Sequence, residues 1–330
     1  MKNKQTRKRG KFTFREIFLL FNFVWVIYAC NKEKEDSIFG PDVNQKECKT
    51  DSAEVYIQIS GDYYADEITV TTPLKLQTPS RLLTKNFKLS AELVPVYSLS
   101  TKSNISELKG HLPDDMQYKV AVFDADNQYI GEKNYTYKKE WEQGLFSLPV
   151  GKEYIFIIYA VGSRKNLPDI TFKDDKYKTL GTAELVLDRT ADFVYCRTTV
   201  KLPTKNTKIV PVELQHKFSE ITTTIDARKI GELITQVNSN FSPHYNKVSV
   251  QLNSGQLSRS KASVNAGVDF LSLNAMVVTS LPTRIHADEN VTYNLSNLVV
   301  GKYVLKSYEA YKNLKITPGI KYKLNLVITP

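Results

Sequence analysis

Eight consecutive residues, Tyr154-Ile155-Phe156-Ile157-Ile158-Tyr159-Ala160-Val161, carry no charged or amide side chain at either parity. β-Branched and aromatic residues suit a strand. A strand apolar on both faces belongs inside a layered stack, covered from each side. Any fold for this chain has to supply two such covers. Elsewhere the strand-like stretches are half apolar. Val55, Ile57 and Ile59 alternate within residues 55–60, and Tyr322, Leu324, Leu326 and Ile328 alternate near the end of the chain. That period of two turns one side toward a core.

Similar stretches are expected at 67–72, 87–97, 118–123, 145–148, 193–200, 209–214, 217–225, 247–252, 268–273, 275–281, 291–298 and 303–307. Pro95 favours an edge or a bulge in its stretch. Asp124-Ala125-Asp126-Asn127-Gln128 reads as the turn of a hairpin that resumes at Tyr129. One segment predicts a helix, with Asp226 as its cap and Ile230, Leu233, Ile234 and Val237 on one face. Many short strands and almost no helix predict an all-β fold of sandwiches. At 330 residues the chain has room for two domains, and they are expected at 51–188 and 189–330.

The first 29 residues differ in kind. Seven Lys/Arg and one acid, Glu16, precede or begin an apolar run of 13 residues ending at Ala29. A basic head, a short apolar stretch and a small residue before the cut make a signal peptide; a membrane-spanning helix needs about 20 apolar residues. Ile27-Tyr28-Ala29-Cys30 resembles a bacterial lipobox, which predicts cleavage between Ala29 and Cys30 and lipidation of Cys30. A plain signal anchor with an incidental cysteine is the alternative. Residues 30–50 are polar, contain Gly40-Pro41, and read as a flexible tether. The charged start Lys32-Glu33-Lys34-Glu35-Asp36 resembles signals that direct lipoproteins to the cell surface, at the outer face of the outer membrane, although a solvated linker has the same composition.

Of the net charge of +10, the signal segment carries +6, so the mature chain holds +4. No dense basic patch survives to suggest a nucleic-acid partner. Besides Cys30 there are Cys48 and Cys196, one possible disulfide in an exported protein, although Cys196, in an apolar strand-like run, reads more readily as a small core residue.

The sequence offers no catalytic, metal or cofactor motif. His111, His216, His244 and His286 are dispersed without metal-ligand spacing. His216, at the join of two strands, reads as a buried or turn histidine satisfied by hydrogen bonds. No G-x-S-x-G elbow and no phosphate-cradling glycine loop is present, and the 35 acidic residues single out no glycosidase pair. An enzyme is not expected. Among the 19 Tyr, 15 Phe and 2 Trp, Tyr63, Tyr64, Tyr135, Tyr137 and Trp141 lie in polar surroundings and are candidates for stacking on a host glycan or a protein partner.

Three blocks carry a resemblance. The first is Tyr118-Lys119-Val120-Ala121-Val122-Phe123-Asp124, followed by 151–161 and Leu167-Pro168. The second is Asp192-Phe193-Val194-Tyr195 with 210–219, and the third is the closing stretch 314–324. In this order, behind a lipobox, they resemble the fimbrillin-like proteins, subunits of type V pili. The resemblance implies two tandem transthyretin-like (Greek-key) sandwiches exported as a lipoprotein to the outer membrane or a fimbrium. It also implies partners that are other pilus subunits, joined by strand addition after an arginine-specific protease removes an N-terminal strand. Here that strand corresponds to 55–60, with or without 67–72. Arg81 is the only arginine between Cys30 and Arg164, and so the expected cut. The closing strand ends two residues before Pro330, which favours an accessory, anchor or tip subunit over a polymerising stalk. A non-polymerising surface lipoprotein that binds glycan or host protein is the alternative.

Overall fold

The computed structural model describes residues 51–65, 81–84, 87–96, 112–162, 166–188, 191–260, 262–286 and 290–330. The signal segment, the tether, the expected strand at 67–72, His111, Cys30 and Cys48 lie outside them. The fold is all-β. One sheet runs in the order β5 (Tyr129–Thr136), β4 (Gln117–Asp124), β7 (Lys152–Ala160), β10 (Val194–Leu202), β11 (Lys208–His216), β1 (Ser52–Tyr63), β6 (Phe146–Pro149). The second runs β17 (Val277–Thr279), β12 (Ser219–Asp226), β21 (Lys321–Thr329), β3 (Phe87–Pro95), β2 (Arg81–Thr84), with β18 (Thr283–Ile285) also paired to β12. The third is β16 (Ser263–Gly267), β13 (Ile234–Tyr245), β19 (Val291–Val300), β20 (Tyr303–Leu314), and the fourth β15 (Gln256–Arg259), β14 (Lys247–Gln251), β9 (Ala183–Asp188), β8 (Thr171–Phe172).

β10 and β11 share only two paired positions, Val194 with His216 and Tyr195 with Gln215. The first sheet turns a corner there. Its β5-β4-β7-β10 part faces its β11-β1-β6 part, and all seven strands feed one core. β7 sits in the middle of the stack, as its sequence requires. Tyr154, Phe156, Ile158 and Ala160 enter that core. Ile155, Ile157 and Tyr159 enter a second one, closed by Leu185, Leu187, Val248 and Val250 of the fourth sheet. A third core lies between the second and third sheets, where Tyr322, Leu324, Leu326 and Ile328 of β21 are buried.

The junction expected at 188–189 does not separate these layers. β10 and β11, beyond it, complete the first sheet, and β14 pairs with β9 across it. β3, well before it, pairs with the closing strand β21. Strand pairing between distant segments, which local pattern does not encode, places the layers.

The expected helix is replaced by strand. Asp226 ends β12, and its carboxylate accepts hydrogen bonds from the Arg228 backbone N–H at 2.9 Å and guanidinium Nη2 at 2.6 Å. Gly231 at φ +78° closes a single turn, and β13 starts at Ile234. Of the four apolar positions that fit a helical period, Ile234 and Val237 pair with Val300 and Leu298 of β19 instead, and Ile230 and Leu233 lie in the turn and linker before β13. Residues 268–273 form no strand, and Leu271 is 74% exposed. Pro95 ends β3, which lies inside its sheet; a terminal position is where a missing N–H interrupts the ladder least. The β4–β5 hairpin forms as read, with Asp124 Oδ1 accepting the backbone N–H groups of Asp126 and Gln128.

Candidate functional site

β1 occupies a slot. It runs parallel to β11 from Val55–Lys208 to Tyr63–Gln215, with a register shift between Ile59 and Gly61. It runs antiparallel to β6 at Ser52–Val55. Ala53, Val55, Ile57 and Ile59 point inward and are buried against a core that includes Val210, Val212 and Leu214 of β11 and Phe146 and Leu148 of β6. Burying a Val or Ile side chain contributes up to roughly 1.5–3 kcal/mol. Ser60 Oγ donates to the Val212 carbonyl at 3.1 Å. The strand is thus held by one long ladder, a short one, and alternate side chains in a groove.

The carboxyl end of β1 is gripped differently. Asp62 Oδ2 lies 2.6 Å from His216 Nε2, and Asp192 Oδ1 lies 3.1 Å from Nδ1 of the same ring. Arg284 Nη2 donates to Asp192 Oδ2 at 2.7 Å. The Tyr64 ring stacks on the imidazole with centroids 3.9 Å apart and planes 7° apart, and Lys321 Nζ lies 4.5 Å from the Tyr64 ring centroid. Tyr64 Oη donates to Glu220 at 3.3 Å, and the Ala65 N–H to the Gly319 carbonyl at 2.9 Å. Gly319 is required there: its φ is +82°, and a Cβ would stand 2.7 Å from the His216 carbonyl oxygen.

Burial opposes charging His216, but the hydrogen bonds and negative charges of Asp192 and Asp62 outweigh it and raise the ring above the ordinary histidine range. Burial likewise opposes charging Asp192, and the His216 and Arg284 contacts prevail, holding its carboxyl below the usual range. The sequence reading of His216 as a buried, hydrogen-bonded histidine agrees with this. The parity of Val210, Val212, Leu214 and His216 signals that the ring faces inward; its partners, far away in sequence, carry no local signal.

The other residues singled out by sequence are scattered. Arg81 opens β2, a strand at the edge of the second sheet. Cys196 lies in β10 beside Ile158, packed against the first core, and burial pushes its thiol up; Cys48, the other half of the possible disulfide, is outside the described residues. Trp141 is 67% exposed, whereas Tyr135 and Tyr137 are buried in the first core and are no docking surface. Polar neighbours such as Asn134, Thr136 and Lys138 misled the reading there, because they alternate with the inward-facing tyrosines. His286 and His244 form a buried pair beside Phe218: the His286 backbone N–H donates to His244 Nδ1 at 3.3 Å, and its ring stacks on Phe218 at 3.8 Å. An open pocket of about 500 Å³ is lined by Tyr129, Glu132, Asp169, Phe172, Asp175 and Lys178, among others. Two of these lining carboxylates pair with the buried Lys119, whose Nζ is 2.5 Å from Glu132 and 3.5 Å from Asp169.

No protein-family model and no curated protein matches the chain. Among solved structures it is similar to a candidate cell adhesion protein from Bacteroides fragilis, at 14% identity over 85% of this chain and 94% of that one, TM-score 0.42. It is also similar to a fimbrial assembly protein from Parabacteroides distasonis, at 17% identity over 64% and 82%, TM-score 0.39. A third is the fimbrial anchor protein Mfa2 from Porphyromonas gingivalis, at 9% identity over 78% and 100%, TM-score 0.39.

Proposed function

We propose that this chain is a surface lipoprotein of a fimbrial adhesion system, an accessory, anchor or tip subunit held to the outer membrane through lipid on Cys30. It joins other subunits by strand addition, and its role is non-enzymatic. The observation that carries this reading is the seating of β1. A strand that fills an apolar groove with alternate side chains can be replaced by another of the same pattern, because the ladder supplies affinity without regard to sequence and the pockets supply selectivity. β1 is also the first described strand after the lipidated tether. A cut after Arg81 separates β1 and its lipid from β3 through β21 and bares Val210, Val212, Leu214, Phe146 and Leu148 to an incoming strand.

The test is the amino terminus of protein recovered from the cell surface. Acylated Cys30 on the uncut form, Leu82 as the first residue of assembled subunits, and SDS-resistant multimers are expected. A mature chain without fatty acid that begins elsewhere and runs as a monomer in unheated SDS overturns the reading.

The pocket favours a second reading, a stand-alone glycan-binding lipoprotein. Tyr129 and Phe172 meet edge to face at 5.1 Å, and the Asp169 and Asp175 carboxylates stand exposed beside them. Aromatic faces suit the C–H side of a sugar and carboxylates its hydroxyls. Monomeric protein that binds in a glycan array, with binding lost in Phe172→Ala, selects this reading over the first.

A further inference from the structure

We propose that Asp62, His216, Asp192 and Arg284 form a charge latch that locks the carboxyl end of β1 in its slot and opens when His216 gives up its proton. The proposal deepens the strand-addition reading and rests on it, since it concerns how the strand to be exchanged is retained.

Geometry requires the proton. A neutral imidazole has one N–H, yet both ring nitrogens of His216 face carboxylate oxygens, at 2.6 and 3.1 Å. With a single proton, one nitrogen lone pair would point at a carboxylate oxygen within a site where the ring is 8% exposed. Both contacts are attractive only for the imidazolium.

Charge balance leads to the same requirement. The network around the ring draws on five elements: Asp62 and Tyr64 at the end of β1 and Asp192 ahead of β10 touch the ring, Arg284 on β18 joins through Asp192, and Glu220 on β12 and Lys321 on β21 join through Tyr64. Next to His216 along the chain, Lys217 Nζ turns to Gln215 and the Tyr195 ring. Three carboxylates therefore meet Arg284, Lys321 and the ring. Charged, the ring closes the balance; neutral, it leaves one carboxylate in excess beside a buried ring, and breaking a partly buried pair carries a cost.

Only one charged member of this network belongs to the mobile side of the proposed exchange. Asp192, His216, Arg284, Lys321 and Glu220 stay with the body if β1 leaves, whereas Asp62 and the stacked Tyr64 go with it. The latch therefore acts on β1 alone. The window has two sides. The contact to Asp62 is present while His216 is protonated and is lost as pH rises through its raised pKa. The Asp192 contact is lost at the acid end, as pH falls through that carboxyl's lowered pKa.

Hydrogen exchange of the full chain tests this, with amides of β1 (residues 57–63) compared with those of β7 (residues 154–160) as an internal reference. After correction for intrinsic rates, β1 exchange is expected to accelerate about ten-fold or more between pH 6 and pH 9, with β7 unchanged. His216→Gln and Asp62→Asn are each expected to give the fast β1 exchange already at pH 6 and to abolish its pH dependence. If a variant does not fold, the wild-type pH series decides alone. β1 exchange that is insensitive to pH, or that changes together with β7, overturns the latch. Multimer formation is read separately: fast β1 opening without SDS-resistant multimers overturns strand exchange and leaves the latch standing.

Discussion

Ile57→Asp lowers the stability of this protein by about 4 kcal/mol or more, read as a fall in the urea midpoint, whereas Gln58→Asp, one residue along, changes it by less than about 1 kcal/mol. The two positions share a strand and differ in parity. Ile57 is 4% exposed and sits in the first core, paired with Val210 in register. Gln58 is exposed. A carboxylate at 57 loses the apolar burial and is placed among apolar side chains, so it either remains desolvated or takes up a proton. If β1 is the exchangeable strand, the variant also opens its own slot. Accelerated β1 exchange at a temperature where β7 remains protected separates slot opening from global unfolding. Equal effects at 57 and 58 would show that the inward face of β1 has been misassigned.

The second large effect concerns acid. Lowering the pH from about 6.5 to about 4 is expected to remove roughly 3 kcal/mol of stability through His286 alone. His286 is fully buried, and its pKa is pushed down to about 4, first by burial and then by the neighbouring His244. Its Nε2 lies 3.1 Å from the Ala191 carbonyl. The sign follows from which state holds the proton. Between the folded value and the ordinary value near 6.5, the unfolded chain binds a proton that the folded chain refuses. Stability therefore rises with pH across that window and is fully present above it. His286→Phe keeps a ring on Phe218 and removes the titration, so its unfolding free energy should be flatter between pH 4 and pH 6.5 than that of the wild type. An unchanged acid slope in the variant would assign the sensitivity to other groups. The two buried histidine sites thus respond in opposite directions: His286 asks to be neutral and His216 to be charged.

Much of the secondary structure was legible from period and turn chemistry. β1, β4, β7 and β21 read directly, because burial on one face or both imposes a pattern on consecutive residues. The hairpin at 124–128 read because Asp124 needs only its own backbone neighbours to make its turn. The segment after Asp226 misled, since Ile230, Leu233, Ile234 and Val237 fit a helical period by spacing alone. Local pattern could not weigh that spacing against the ladder that β19 offers β13. Tyr135 and Tyr137 misled for a related reason: polar neighbours on the far face of a strand hide an inward side chain.

Residues 154–161 determined by themselves that this chain folds as stacked layers, since eight residues without a polar face have no other place to go. The amino-terminal pattern up to Cys30 determined the expectation of export and lipid. Which segments supply the layers was decided only in three dimensions: β10 and β11 returning to the first sheet, β14 crossing to β9, and β3 joining β21. The His216 site belongs to the same class. Its two carboxylates stand 154 and 24 residues away in sequence, and a charge network of that span exists only once strand pairing has brought its members together.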